Sequence, residues 1–474
     1  MSFTTNASKT ERIHALDSLR AIMMLLGLVI HSAVTYGTFP GYHWPLKDPE
    51  STNLVMDYIV IFIHAFRMPI FFVVAGFFGA MLFFERSPKK MFKNRIDRIL
   101  YPFIVFILIL APTIKFADIY TNATFDGDSN PFMAALEPFS MLINWLPEST
   151  SHLWFLYYLF MITVASYVLG LLFNQFESFT KKTTLVFNWI IERPLLKVLF
   201  FSALTIILLF FMGSDWVATS TNWTPDFNTF IFYFFFYAIG WVLFKSKDKL
   251  DTFKKYDWAF LILAIILFTA RFLLASSLDE LQVTILNAVN VWLFIFSITG
   301  LFIRYGSQHS HLMRYNSDSS YWIYLLHLTF TILLPAFIVD WEIPAFAKFM
   351  IVLLVTSLIC LVTYHYLVRS TFIGEFLNGN LSVNIASIIS EGLFRQQSEA
   401  YQNSIIPKNK PLFGLTAGLP VNLEGLVGVN GKVFGVDHFG YSAPAGVLDE
   451  KFGFTGEQVS QNVMEYLNTN VLIK

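Results

Sequence analysis

The sequence predicts an all-α polytopic membrane protein of about ten transmembrane helices, with both termini cytoplasmic and a small α/β-like soluble C-terminal tail. Three observations predict it. Of 474 residues, 55% are apolar and only 14% charged, and 53 are phenylalanine; a soluble chain carries about 25% charge. Apolar windows of about twenty residues, enough to cross the hydrocarbon layer, recur from residue 19 to residue 368. Lysines and arginines gather in alternate connections, as cytoplasmic loops do.

The polar start, MSFTTNASKTERIHALDS, has no secretory cleavage signal, so the first apolar helix is expected to stay as an anchor. Spans are expected near 19–38, 54–84, 99–117, 151–173, 197–213, 228–245, 257–276, 284–304, 319–339 and 346–368. The second is long enough to tilt or to begin in the interface, and the fifth is short. Lys9 and Arg12, ERSPKKMFKNRIDR (85–98), Lys181 to Lys197, KSKDKLDTFKK (245–255), Arg304 with Arg314, and Arg369 then share one side. The opposite connections are poor in basic residues: 118–150 holds Asp118, Asp126, Asp128, Glu137 and Glu148 without lysine or arginine, and 277–283 holds Asp279 and Glu280. From about residue 380 the apolar runs vanish; KVFGV (432–436) reads as a strand and GEQVSQNVMEYLN (456–468) as an amphipathic helix. Two domains are expected, 1–379 in the membrane and a cytoplasmic tail 380–474. The net charge of −1 creates no field pointing to nucleic acid, and the single cysteine, Cys360, excludes an internal disulfide.

Several polar groups sit where lipid penalises them. In LDSLRAIMMLLGLVIHSAVTY (16–36), Arg20 and His31 are eleven residues apart, about 16 Å along a helix. Arg20 falls near one membrane face and His31 near mid-depth. A helix-centre charge costs about 2.5–3.5 kcal/mol, so such a group faces a cavity or a partner; the plainer alternative is a neutral histidine bonded to another helix. HAFRMPIFFVVAGFF (64–78) puts His64 and Arg67 one turn apart before Pro69, where a kink lets Arg67 line a cavity, unless it snorkels outward. Arg95 and Arg98, three apart, share a helix face and suit either a phosphate clamp or ordinary cytoplasmic-side anchoring. SHLWFLYYLF (151–160) brings His152 and Trp154 to the outer end of the fourth span, where a tryptophan is also a common belt residue. SSYWIYLLHLTF (319–330) puts Tyr324 and His327 on one face of the ninth.

No metal-ligand cluster, glycine-rich phosphate loop or G-x-S-x-G elbow occurs, so no metal and no bound cofactor is expected. A histidine without a protein nucleophile suits general-base activation of a substrate hydroxyl, and arginines suit an anionic, phosphate-bearing donor. That is a layout for group transfer across a membrane. The same groups also suit a proton-coupled transporter or flippase of an anionic or acylated solute, although matched pairs of broken half-helices are missing.

Residues about 10–379 resemble acyltransferase family 3, the integral-membrane O-acyltransferases. The resemblance rests on LDSLRAIMMLLGLVIH with its Arg-x10-His, FRMPIFFVVAGFF, RIDRILYPF, SHLWFL and YWIYLLH, in that order. Within the family the pattern is closest to the periplasmic-glucan succinyltransferase type. The resemblance implies an acyl-CoA-type co-substrate, a glycan acceptor outside and a multi-pass place in the inner membrane. It implies that His31 and Arg20 form the essential pair, His31 as general base, and that Arg95 and Arg98 bind the donor. On the group-transfer reading Arg67 would hold the acyl carboxylate if the group is succinyl, and His152, Trp154, Tyr324 and His327 would line the acceptor side or the cavity. One departure is Ala75-Gly76 where the family often has Ser-Gly, so no hydroxyl is available at 75. The tail, through GLFRQQSEAYQNSIIP (392–407) and GKVFGVDHFGYSAPAGVLDEKFGFT (431–455), resembles the C-terminal end of a transketolase. The thiamine-diphosphate parts of that family have no counterpart here, so no transketolase activity is expected.

Overall fold

The computed structural model describes residues 4–39, 44, 46–216, 219–307, 311–369, 371–378, 385–408 and 410–470. It divides into two compact units, Met1–Leu381 and Ser382–Lys474; the expected boundary at 379–380 lies outside the described residues.

The first unit is helical throughout. Its main helices are α1 (Thr4–Ala33), α2 (Leu54–His64), α3 (Arg67–Met81), α4 (Pro88–Arg95), α5 (Tyr101–Phe125), α6 (Trp154–Phe173), α7 (Glu177–Ile191), α8 (Pro194–Met212), α9 (Phe227–Lys245), α10 (Asp257–Leu273), α11 (Glu280–Tyr305), α12 (His311–Leu333), α13 (Ala345–Thr363) and α14 (Phe372–Asn378). Among the described residues, nine helical stretches are long and apolar enough to cross a membrane. The expected seventh span is not one of them. At 17 residues α10 is only about 25 Å long, and it qualifies only together with the turn Lys247–Lys254, from which it is bent by 65°. Counting that pair as a span makes ten, an even number, which leaves the two ends of the first unit on one side of the membrane.

Two further boundaries differ from expectation. The third span does not stop at 117: α5 runs to Phe125, because Asn122 and Thr124 bond back to the carbonyls of Asp118 and Tyr120 and Thr121 bonds to Ile332 O. The connection 174–196 contains α7, an additional helix. The second span is broken. Pro69 cannot bond to the carbonyl four residues back, at Ala65, and the helix is interrupted at Ala65–Phe66 between α2 and α3.

Helices α3 and α9 approach backbone to backbone. A Cβ on Gly76 would strike the Tyr237 carbonyl oxygen, and one on Gly240 would strike that of Val73. Small residues permit such approach, and in lipid the close packing it allows is a main source of helix association. Around this seam Phe72 stacks on Tyr233 at 4.6 Å and Phe71 meets Phe155 edge-on at 4.5 Å.

In the second unit, β1 (Phe413–Leu415) and β2 (Lys432–Phe434) pair in parallel, with Gly414 opposite Val433. The helix Val421–Val427 supplies the crossover that a parallel pair needs. The amphipathic helix Gly456–Asn470 places Tyr466, which is 3% exposed, 5.9 Å from the Phe413 ring.

Candidate functional site

A cavity of about 1160 Å³ is lined by residues of α1, α2, α3, α5, α6, α9, α10, α11 and α12, and its lining includes Leu146, Glu148, Ser149 and residues 219–222 from connections on the side opposite the basic loops. His31, His64, Arg67, His152, Trp154, Tyr324 and His327 all line it. The structure thus brings together six of the nine site residues expected from sequence, and His64 with them.

The histidines are interlocked. His31 Nδ1 lies 2.9 Å from His327 Nε2, and the two rings stack at 5.1 Å and 7°. His327 Nδ1–H donates to the carbonyls of Tyr324 (2.8 Å) and Ile323 (3.0 Å) of its own helix. His152 Nε2–H donates to Leu325 O at 2.9 Å, and the Tyr324 hydroxyl donates back to His152 O at 2.8 Å. The residue before His152, Ser151, has φ 47°, a left-handed conformation that a side chain rarely adopts. Such strain costs on the order of 1–3 kcal/mol and gathers at functional sites; Thr150, just before it, is held by two hydrogen bonds to Thr221 O (2.7 and 2.8 Å).

Arg67 is 9% exposed. Its Nε–H donates to Met23 O at 3.0 Å, and Gly27 opposite leaves it room, since a Cβ there would stand 2.7 Å from Nη2. No carboxylate pairs with this guanidinium among the described residues. An uncompensated buried cation is strongly unfavourable, and the cavity side is where an anion would relieve it. His152 Nδ1 and Asn290 Oδ1 are also buried without a partner and line the same cavity. Buried polar groups are seldom left unpaired, so the wall has unused capacity for a polar molecule. Trp154 is buried at 8% exposure, 5.5 Å from Tyr233, and is not a belt residue.

The other three expected residues lie elsewhere. Arg20 pairs with Asp17 at 3.0 Å and sits 5.6 Å over the Phe78 ring. It lies eleven positions before His31 along one continuous helix and does not line the cavity. Arg95 faces Arg20 and Tyr237, and its buried Nε and Nη2 have no hydrogen-bond partner. Arg98 does not share a helix face with it: α4 ends at Arg95, and a wide i→i+5 turn over Ile96–Leu100 follows. Arg98 Nη1 donates instead to the last carbonyls of α14, Glu375 O (2.6 Å) and Phe376 O (2.7 Å).

Sequence reasoning missed Trp44, Asn290, Tyr233 and the pair Asp48–Lys348. Trp44 stacks on the His31 ring at 5.4 Å and 20°, and its indole N–H donates to Thr35 Oγ1 at 2.9 Å. The connection carrying Trp44 is fastened at both ends. Asp57 accepts hydrogen bonds from the backbone of Thr38 (2.6 Å) and Phe39 (3.0 Å), and Asp48 pairs with Lys348 at 3.0 Å with both side chains fully buried. An asparagine and a lysine inside apolar windows, Asn290 and Lys348, were the available signals. Among the described residues no group of three histidine, cysteine or carboxylate side chains is placed to hold a metal ion.

A family model described as an acyltransferase domain matches residues 13–365, most of the chain. The chain belongs to acyltransferase family 3. A second model, the transketolase-like C-terminal domain, matches residues 374–455 of this acyltransferase-family chain. The family member is 34% identical over 158 residues to glucans biosynthesis protein C of Escherichia coli K12, covering 33% of this chain and 39% of that protein. It is 35% identical over 159 residues to the protein of the same name from Salmonella paratyphi B, covering 33% and 38%. The aligned stretch thus spans about two fifths of those relatives. No solved structure matches.

Proposed function

We propose that this protein is an O-acyltransferase of the inner membrane that moves an acyl group from a cytoplasmic acyl-CoA-type thioester to a hydroxyl of a glycan outside. The observation that carries the reading is the cavity on the outer side, lined by both His31 and Arg67, whose guanidinium has no carboxylate partner among the described residues. His31 takes the proton of the acceptor hydroxyl, and the oxygen attacks the thioester carbonyl carbon. The C–S bond breaks, and the departing thiolate receives the proton that His31 held. Arg67 supplies the positive charge that developing oxyanions favour, or receives a carboxylate if the acyl group is succinyl. Arg95, whose buried Nε and Nη2 have no hydrogen-bond partner, is the cytoplasmic group best placed for donor phosphate, and Arg20 beside it adds a second charge. His152, Trp154, Tyr324 and His327 shape the acceptor end together with Trp44, whose ring offers a flat surface to a sugar. The relatives' name, glucans biosynthesis protein C, supports a glucan as acceptor.

The test is thiol release from acetyl-CoA or succinyl-CoA by the detergent-purified protein, with and without envelope oligosaccharide. Acceptor-dependent release by wild type, lost in His31→Ala, is expected. Equal release by His31→Ala overturns the mechanism.

A further inference from the structure

The hydrogen bonds of His327 determine more than its own orientation. A carbonyl oxygen only accepts, so the two carbonyls at 2.8 and 3.0 Å from His327 Nδ1 require the proton to be on that nitrogen. In a neutral imidazole the other nitrogen then carries the lone pair. His327 Nε2 is therefore an acceptor, and its partner at 2.9 Å, His31 Nδ1, is the donor. With its proton on Nδ1, neutral His31 keeps its lone pair on Nε2. The backbone of α12 thus selects, through His327, the nitrogen on which His31 acts as a base. Trp44, stacked on His31, restrains the ring plane.

We propose that His327 is the positioning partner of His31, fixing its basic tautomer and sharing the proton it accepts. The proposal rests on the acyl-transfer reading and adds the partner to it. As the acceptor O–H bond breaks, an N–H bond forms at His31 Nε2. The Nδ1 proton of His31 then moves toward His327 Nε2, and the positive charge spreads over both rings. The two carbonyl dipoles at His327 Nδ1–H favour that charge. When the tetrahedral intermediate collapses, the Nε2 proton leaves with the thiolate, and the Nδ1 proton returns to His31. In this role His327 does what a carboxylate does for other histidine bases. The titratable or charged groups facing His31, besides His327, are Arg67 on α3, His64 on α2 and His152 ahead of α6. None is a carboxylate, so His327 is the neighbour able to take up the charge.

A purely structural histidine, joining α1 to α12, would support helix association and contribute nothing to turnover. Two substitutions separate the roles. His327→Gln places an amide oxygen near the position of Nε2, which still accepts the His31 proton but cannot share it. His327→Leu removes the acceptor. With wild type as reference, turnover is measured with whichever of acetyl-CoA and succinyl-CoA it uses, and with envelope oligosaccharide. His327→Leu is expected to lose about 100-fold or more in kcat, with donor KM little changed, and His327→Gln to retain at least about tenfold more kcat than His327→Leu. A His327→Leu enzyme with wild-type kcat, or equal losses in the two variants, overturns the proposal and leaves the acyl-transfer reading standing. Absence of transfer by wild type overturns that reading itself. If His327→Leu does not accumulate, His327→Asn replaces it, because its amide is too short to reach His31; equal activity of the Asn and Gln variants then overturns the proposal.

Discussion

Replacing Lys348 with methionine is expected to destabilise the membrane unit by about 3–5 kcal/mol, the usual effect of removing one partner from a buried ion pair. The Lys348 ammonium donates to Asp48 Oδ2 (3.0 Å), Asp48 Oδ1 (3.3 Å) and Val339 O (2.7 Å). The Asp48 carboxylate also accepts from the backbone N–H groups of Glu50 (3.0 Å) and Ser51 (2.8 Å). Lys348→Met leaves a buried carboxylate with two backbone donors. Asp48→Leu leaves a buried ammonium with one carbonyl and is expected to be the worse of the two. The double variant Asp48→Leu/Lys348→Met strands no charge, so it should be more stable than either single variant. Unfolding of the four proteins in one detergent measures this cycle. Single-variant losses within about 1 kcal/mol, as for an exposed pair, or a double variant equal to the sum of the singles, would refute the reasoning. The pair also fastens the connection that lays Trp44 on His31, so the single variants should lose acyl transfer even where they remain folded.

Other outcomes follow from the same geometry. Gly240→Leu should abolish accumulation in the membrane, since even a Cβ at 240 meets the Val73 carbonyl; normal expression and stability would show that α3 and α9 can separate at no cost. Arg95→Ala should raise the donor KM with little change in kcat, as expected for uniform binding, and an unchanged donor KM would return Arg95 to a topological role. Arg98→Ala should lower stability by about 1.5–3 kcal/mol per lost charge-assisted bond to the end of α14, a loss that thermal unfolding would detect. Removal of residues 382–474, a separate compact unit, should leave acyl transfer intact, and loss of transfer in the truncated protein would assign the tail a role.

Most membrane spans were legible because hydropathy over twenty residues is a local property and basic residues gather in alternate connections, on one side. The bend before Asp257 was not, since apolar composition does not reveal a 65° change of direction. In the site, Arg67 was legible beside Pro69 because a proline kink has a local cause. The contact between His31 and His327 joins residues 296 positions apart, and no helical period in either segment encodes it. Trp44 belongs to a connection whose course depends on Asp48 finding Lys348, 300 positions away. Arg98 shows the opposite failure. A regular α-helix would have aligned it with Arg95, but a single wide turn at 96–100 separates them.

The central claim is that His31 activates an acceptor hydroxyl for acyl transfer. Its most direct test is mass spectrometry of envelope glycans from cells lacking the gene, complemented with wild type or with His31→Ala. The account predicts an acyl mass increment that wild type restores and a folded, membrane-inserted His31→Ala does not. Restoration of the increment by His31→Ala, or no increment in any glycan fraction, would contradict it.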